Sequence, residues 1–226
     1  MRGAKPGVPA DSARQRMRGR HDGILPSCVA RGTAAIAAMP PRISHTIAFD
    51  DAPFDRSHRG DVLVVGTVFA GDRLDGVLSG KLRRDGANAT RVLEGIVRRS
   101  RFFPQIHAVL LQGITFGGFN VVDLSTLNAA LGVPVLVVLR QPPDFDAIRR
   151  ALLDHVRGGA RKWRLIEAAG PVEPIGPLFV QRAGISLADA TSLLERLRQH
   201  SLVPEPLRVA HLIAGGVTRG ESTGRA

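Results

Sequence analysis

From Ile43 onward the apolar and polar positions of this chain fall into regular periods. Ile43 to Phe49 alternates loosely and ends in Asp50-Asp51, the pattern of a half-buried strand. Val62 to Phe69 is rich in valine and predicts a second strand. Leu74, Val77, Leu78 and Leu82 mark a third, with Gly71-Asp72 as the hairpin turn before it. Three consecutive strands on short connections predict an antiparallel meander. The period then turns helical. Val92, Leu93, Ile96 and Val97 make one apolar face, and Glu94 pairs with Arg98 at i,i+4 on the other. Ile106 to Leu111 predicts a buried strand, Asp123 to Leu131 a short helix closed by Gly132, and Val133 to Leu139 another buried strand. Phe145, Ile148, Leu152 and Val156 form one face of a further helix. A second strand–helix unit follows around Phe179, where Ser186 and Asp189 make a capping box ahead of Leu193, Leu194 and Leu197.

Strands alternating with helices predict parallel pairing through right-handed crossovers. The expected fold class is therefore α/β. A mixed sheet has three antiparallel strands followed by strand–helix units, with helices on both faces, the ribonuclease H-like layout. A generic three-layer α/β sandwich gives a similar string of elements.

Composition sharpens this picture in four ways. With 226 residues, 44% of them hydrophobic, the chain has ample material for a core. Its longest apolar runs, such as Val133 to Leu139, are too short to cross a bilayer, so no membrane partner is expected. A lone cysteine, Cys28, excludes an internal disulfide and a cysteine zinc site, and suits a reducing cytoplasm. The net charge of +11 is uneven. Residues 1–42 hold eight Lys/Arg against Asp11 and Asp22, a surplus of six that leaves +5 for the remainder. That stretch lacks aromatic residues and is rich in Ala, Gly, Pro and Arg, so it is expected to be a disordered basic extension before a domain over 43–226. It reads as a phosphate-touching arm, a targeting segment, or sequence upstream of a true start at Met39. No apolar stretch of secretory-signal type follows its basic residues.

Candidate chemistry gathers at the ends of the predicted strands. Adjacent carboxylates in a strand point to opposite faces, so one of Asp50 and Asp51 can face a site at the strand's carboxyl end while the other caps the following turn. Asp85-Gly86 is either a plain turn or a second acid swinging toward Asp50 to hold Mg²⁺ or Mn²⁺. The fourth strand ends in Gln112-Gly113, followed by Gly117-Gly118, whose backbone would let a phosphate approach closely. Arg140 ends the fifth strand, placed either for a phosphate or simply for solvent. In Pro204-Glu205-Pro206-Leu207-Arg208-Val209-Ala210-His211 the prolines start a helix, and Arg208 and His211 fall three apart on one face. That pairing suits a phosphate-handling site, and equally the wet side of a packed helix. Asp123 reads as a helix cap. The remaining histidines show no ligand spacing. Trp163 is either a base-stacking platform or a packing anchor.

These segments resemble the endonuclease dU family and, more distantly, endonuclease V. The resemblance is carried by Phe49-Asp50-Asp51-Ala52-Pro53-Phe54, Leu74-Asp75-Gly76-Val77-Leu78, the block from Leu111 to Asp123, and the tail Pro204 to His211 followed by Arg219-Gly220-Glu221-Ser222. It implies a ribonuclease H-like, metal-dependent endonuclease that cuts DNA near a deaminated base such as deoxyuridine, a repair activity. By position, Asp50 matches the first-strand metal ligand of endonuclease V, and Asp85 falls near its catalytic glutamate across a gap. Arg140 matches a lysine after the fifth strand, and His211 the histidine of the last helix. The resemblance thus implies a catalytic set of Asp50, Asp85, His211 and Arg140, with Asp50 and Asp85 on Mg²⁺ or Mn²⁺. Gln112, Gly113, Gly117, Gly118 and Arg208 are the candidate contacts to damaged DNA, single- or double-stranded. Gln112 stands where endonuclease V has a second metal-binding aspartate. The chain has no tyrosine to serve as that family's strand-opening wedge, leaving Leu78 or Phe116 for the part. Two other readings are a nucleic-acid-binding module that has lost its cutting, and a hydrolase of small phosphate compounds.

Overall fold

The meander forms as its alternation predicts: β1 (His45–Asp51), β2 (Asp61–Ala70) and β3 (Arg73–Arg83) pair antiparallel. They belong to a computed structural model that describes residues 43–55 and 57–222; the basic extension 1–42 lies outside the described residues. Helix α1 (Ala89–Arg98) follows, with Glu94 and Arg98 paired at 2.9 Å. Then come β4 (Ala108–Leu111), a small hairpin of β5 (Thr115–Phe116) and β6 (Asn120–Val121), helix α2 (Leu124–Leu131) and β7 (Val135–Leu139). Both ends of α2 are set by local chemistry. The Asp123 carboxylate accepts from the Thr126 amide at 2.9 Å, a cap worth about 1 kcal/mol. Gly132, at φ 70°, closes the other end. The chain continues through α3 (Phe145–His155), α4 (Gly159–Ala168), β8 (Glu173–Ile175), β9 (Leu178–Ala183), α5 (Leu187–Leu197) and α6 (Glu205–Arg219). Ser186 and Asp189 cap α5 reciprocally, side chain to side chain and side chain to amide.

The seven-stranded sheet runs in the order β3-β2-β1-β4-β7-β9-β8, with β4 parallel to both β1 and β7. Alternation along β1 divides two cores. Ile47 and Phe49 join Val62, Leu93, Leu111 and Leu127 under α1 and α2. Ala48 joins Leu110, Leu136, Leu194 and Leu207 under α5 and α6. Among the described residues no helix is long and apolar enough to cross a membrane.

Two expectations need correction. The last strand unit is not a parallel continuation, because β9 pairs antiparallel to β7. The crossover through α3 and α4 delivers β8 one place too far out, and the turn at Gly176 (φ 56°) brings β9 back into the gap. Helix α4 also escapes the periodicity. Its buried positions are Gly159, Lys162 and Ile166, so a charged residue occupies the middle of the apolar stripe. Trp163 lies edge-on to Phe145, with centroids 6.1 Å apart, and anchors α4 against α3.

Candidate active site

Three parallel neighbours, β1, β4 and β7, bring Asp50, Gln112 and Arg140 to the same end of the sheet, where open α/β sheets bind their ligands. Asp50 is an even-numbered residue of β1 and so faces α6, like Ala48. The sequence folds α6 onto this face through Leu207, Ala210 and Ala214, all buried, and through Thr67 Oγ1 of β2, which donates to the Pro206 carbonyl at 2.7 Å. One turn on, His211 meets Asp50: Nδ1 lies 2.8 Å from Oδ2. The other oxygen, Oδ1, accepts the Asp51 amide at 2.9 Å. Asp50 is 4% exposed, whereas a third of the His211 side chain remains open.

The electrostatics follow from these contacts. The hydrogen bond to Asp50 raises the His211 pKa above its ordinary 6.5, against the opposing effects of burial and the Arg140 charge. Arg140 therefore acts on His211 from its exposed position after β7. Asp51, on the opposite face, is pushed up to about 6. Burial is the main cause, and the Asp50 charge adds to it, while the Gly117 amide on its Oδ2, at 2.8 Å, works the other way.

Asp85 is placed differently from Asp50. It occupies a left-handed turn at φ 50° after β3. Its Oδ1 accepts the Phe119 amide at 2.8 Å and its Oδ2 lies 3.2 Å from Arg84 Nε. Its own amide donates to the Gly117 carbonyl at 2.9 Å. The side chain is thus turned into the β5–β6 hairpin. Among the described residues no three His, Cys, Asp or Glu side chains converge on a point that could hold a metal, and Asp50 and Asp85, the expected metal pair, have different partners. Asp51 and Asp85 instead grip the Gly117-Gly118 turn from two sides. Gly118, at φ 87°, has no room for a side chain, since a Cβ there would collide with Asp85 Oδ1. Gly118→Ala should therefore cost about 3 kcal/mol in urea unfolding; a loss below about 0.5 kcal/mol would show that the turn tolerates a Cβ.

The remaining candidates sort by their partners. Arg208 is closed on the buried Glu205 through two hydrogen bonds of 2.7 and 2.6 Å, which fastens the first turn of α6 and occupies the guanidinium. Gln112 lies beside Asp50: its amide donates to the Phe49 carbonyl at 3.0 Å, and its buried Oε1 has no hydrogen-bond partner. A buried amide oxygen left unpaired costs about 1–3 kcal/mol, so this atom fits a ligand that the site is built to receive. Gly113, at φ 95°, turns the chain away from it. Phe116 is fully buried in the core and cannot act as a wedge. Leu78 is half-buried against the same core. Sequence reasoning missed Asp51 as the hairpin's partner and Lys162 behind the Asp85 loop; adjacent acids were the one signal for the first, and nothing marked the second.

A sequence profile described as endonuclease dU matches residues 42–218. A UPF0215 protein of Deinococcus radiodurans is 57% identical over 185 residues, covering 82% of this chain and 94% of that protein. The crystal structure of an Archaeoglobus fulgidus protein superposes with a TM-score of 0.73 at 34% identity, over 78% of this chain and 99% of that one. Endonuclease V of Streptomyces avermitilis shares the fold, with a TM-score of 0.50 at 14% identity, over 78% and 82% of the two chains.

Proposed function

The chain belongs to the endonuclease dU family, and we propose that it is a metal-dependent endonuclease cutting DNA at or near deaminated bases such as deoxyuridine. The observation that carries this reading is the buried Asp50 carboxylate, hydrogen-bonded to His211 at the end of β1, where the neighbouring β4 ends in Gln112 with its unpaired Oε1. A sheet in which β1, β2 and β3 are antiparallel and β4 and β7 follow parallel to β1 supports a ribonuclease H-like reading of the fold.

The donors suit one hard divalent ion, Mg²⁺ or Mn²⁺, which the Asp50 carboxylate and the Gln112 carbonyl oxygen would hold. Such an ion supplies polarisation of the phosphate and a lowered pKa for bound water. Because Asp50 accepts at Oδ2, His211 Nδ1 carries a proton, and Nε2 is the nitrogen left to take or give one. His211 is thus the general acid–base of the reading, and Asp50 fixes its tautomer. Arg140 supplies positive charge on the same edge for a phosphate gaining negative charge in the transition state. Asp85 and Arg208, both engaged elsewhere, hold the hairpin and the first turn of α6 in place.

Incubating the full chain with uracil- or hypoxanthine-containing oligonucleotides and Mg²⁺ or Mn²⁺ tests this. The expected result is nicking near the altered base, and nicking no greater than that of Asp50→Ala sinks the proposal. Gln112, an amide in place of a second carboxylate, favours one alternative: a nucleic-acid-binding module that has kept the fold without the cutting. Salt-sensitive binding of the same oligonucleotides, with no metal dependence and no nicking, is its signature.

A further inference from the structure

We propose a second anion site, separate from Asp50 and His211: a phosphate-binding cavity of about 260 Å³ where the first turns of α1 and α2 meet α4. Three cations line it, Arg91, Arg161 and Lys162. The two acids on its wall are already engaged. Glu94 pairs with Arg98 at 2.9 Å, and Asp123 accepts the Thr126 amide. Among the described residues the Arg91 and Arg161 guanidinium groups make no hydrogen bond or ion pair, so their charges are available to a ligand.

Lys162 gives the cavity its depth. The residue is 5% exposed, and its ammonium donates once, to the Asp85 carbonyl at 2.6 Å. An ammonium has three donors, and no other protein acceptor meets the remaining two among the described residues. Burial presses its pKa down, as expected for a cation short of partners. An anion in the cavity would answer both deficits.

Helix α1 adds donors of its own. It has no acid in its first turn and no side-chain cap, because Asn88 Oδ1 instead accepts from the Arg83 amide and Asn120 Nδ2. The first-turn amides of Thr90 and Arg91 have no acceptor within the helix, and the helix dipole favours negative charge there. Thr90 Oγ1 accepts the Asp123 amide at 2.9 Å, which leaves its hydroxyl proton to donate. Cations, free amides and a hydroxyl in one small cavity specify a phosphate group. At this volume, below the roughly 300–1,000 Å³ of ordinary small-molecule pockets, it takes a phosphate and its attached sugar. That phosphate comes either from a phosphodiester of a bound strand or from a free nucleotide.

Titration calorimetry of the full chain, in EDTA and at constant ionic strength, tests this without reference to cleavage. The probes are inorganic phosphate, thymidine 5′-monophosphate and an undamaged single-stranded oligonucleotide. Saturable binding of phosphate and mononucleotide is expected. It should weaken about tenfold in Arg91→Ala and in Arg161→Ala, while Asp50→Asn leaves it unchanged. If the source is a strand, the two arginine variants also weaken oligonucleotide binding, and phosphate competes with the oligonucleotide. If it is a free nucleotide, oligonucleotide affinity is the same in the variants. Lys162→Gln removes a buried contact and can unfold the chain, so the two exposed arginines carry the test. Phosphate binding no tighter than chloride, or arginine variants that bind as the unaltered chain does, overturns the proposal.

Discussion

Asp50→Asn should lower metal-dependent nicking of a uracil-containing oligonucleotide by about a thousandfold while the chain stays folded. The amide keeps the size of the carboxylate and can still accept the Asp51 amide, so circular dichroism and the unfolding midpoint should change little at pH 8. What it lacks is the negative charge that faces His211 Nδ1 and that, under the proposed function, would hold an ion. Removing that charge gives a second readout. In the unaltered protein the His211 pKa lies above 6.5. The stabilisation from its protonated form is therefore fully present below pH 6.5, and disappears as pH rises through the raised value. In Asp50→Asn the imidazole should titrate at lower pH in an NMR titration of its ring protons. A variant that nicks within about tenfold of the unaltered chain would remove Asp50 from the proposed chemistry. An unchanged His211 titration would remove it as the partner that sets the imidazole.

Asp51→Asn should move stability the other way. The Asp51 carboxyl is held at about 6 in the folded chain against 3.8 ordinarily, with burial as the chief cause. The folded state then binds its proton more tightly than the unfolded chain does. The Asp51 contribution to stability is greatest below pH 3.8 and falls as pH rises through about 6, by about 3 kcal/mol in all. Asparagine has no charge to desolvate and keeps an oxygen for the Gly117 amide. The variant should therefore melt roughly 6–12 °C higher than the unaltered chain at pH 8, with EDTA present to exclude cations. At pH 3.5 the two should melt together. Equal midpoints at pH 8 would mean that the ionised carboxylate is not held at a cost. A costly carboxylate next to Asp50 is the usual mark of a functional site, where stability has yielded to activity.

Much of the scaffold was legible because its signals are short-range. Valine-rich alternation in β2 and the Gly71-Asp72 turn specify a hairpin from residues within reach of one another. The same holds for the Glu94–Arg98 pair, the Asp123 and Gly132 caps of α2, and the Ser186–Asp189 box before α5. Each is settled within one or two turns of chain, and none depends on what packs above it. The strand ends holding Asp50, Gln112 and Arg140 could be placed on one edge for the same reason, once three parallel neighbours were expected.

The partners of those side chains could not be read this way. Asp50 and His211 are 161 positions apart, and their contact exists because Leu207, Ala210 and Ala214 seat α6 on the meander. Asp85 looked equally able to reach Asp50, yet a left-handed backbone and the bare Gly118 direct it to the Phe119 amide. Lys162 belongs to a core stripe because the Asp85 carbonyl waits for it there, an acceptor supplied from 77 positions away. Local periodicity and capping chemistry therefore laid out the longer strands and most of the helices. Long-range packing chose which charges meet, since burial decides the worth of a charge and burial is a property of the assembled layers.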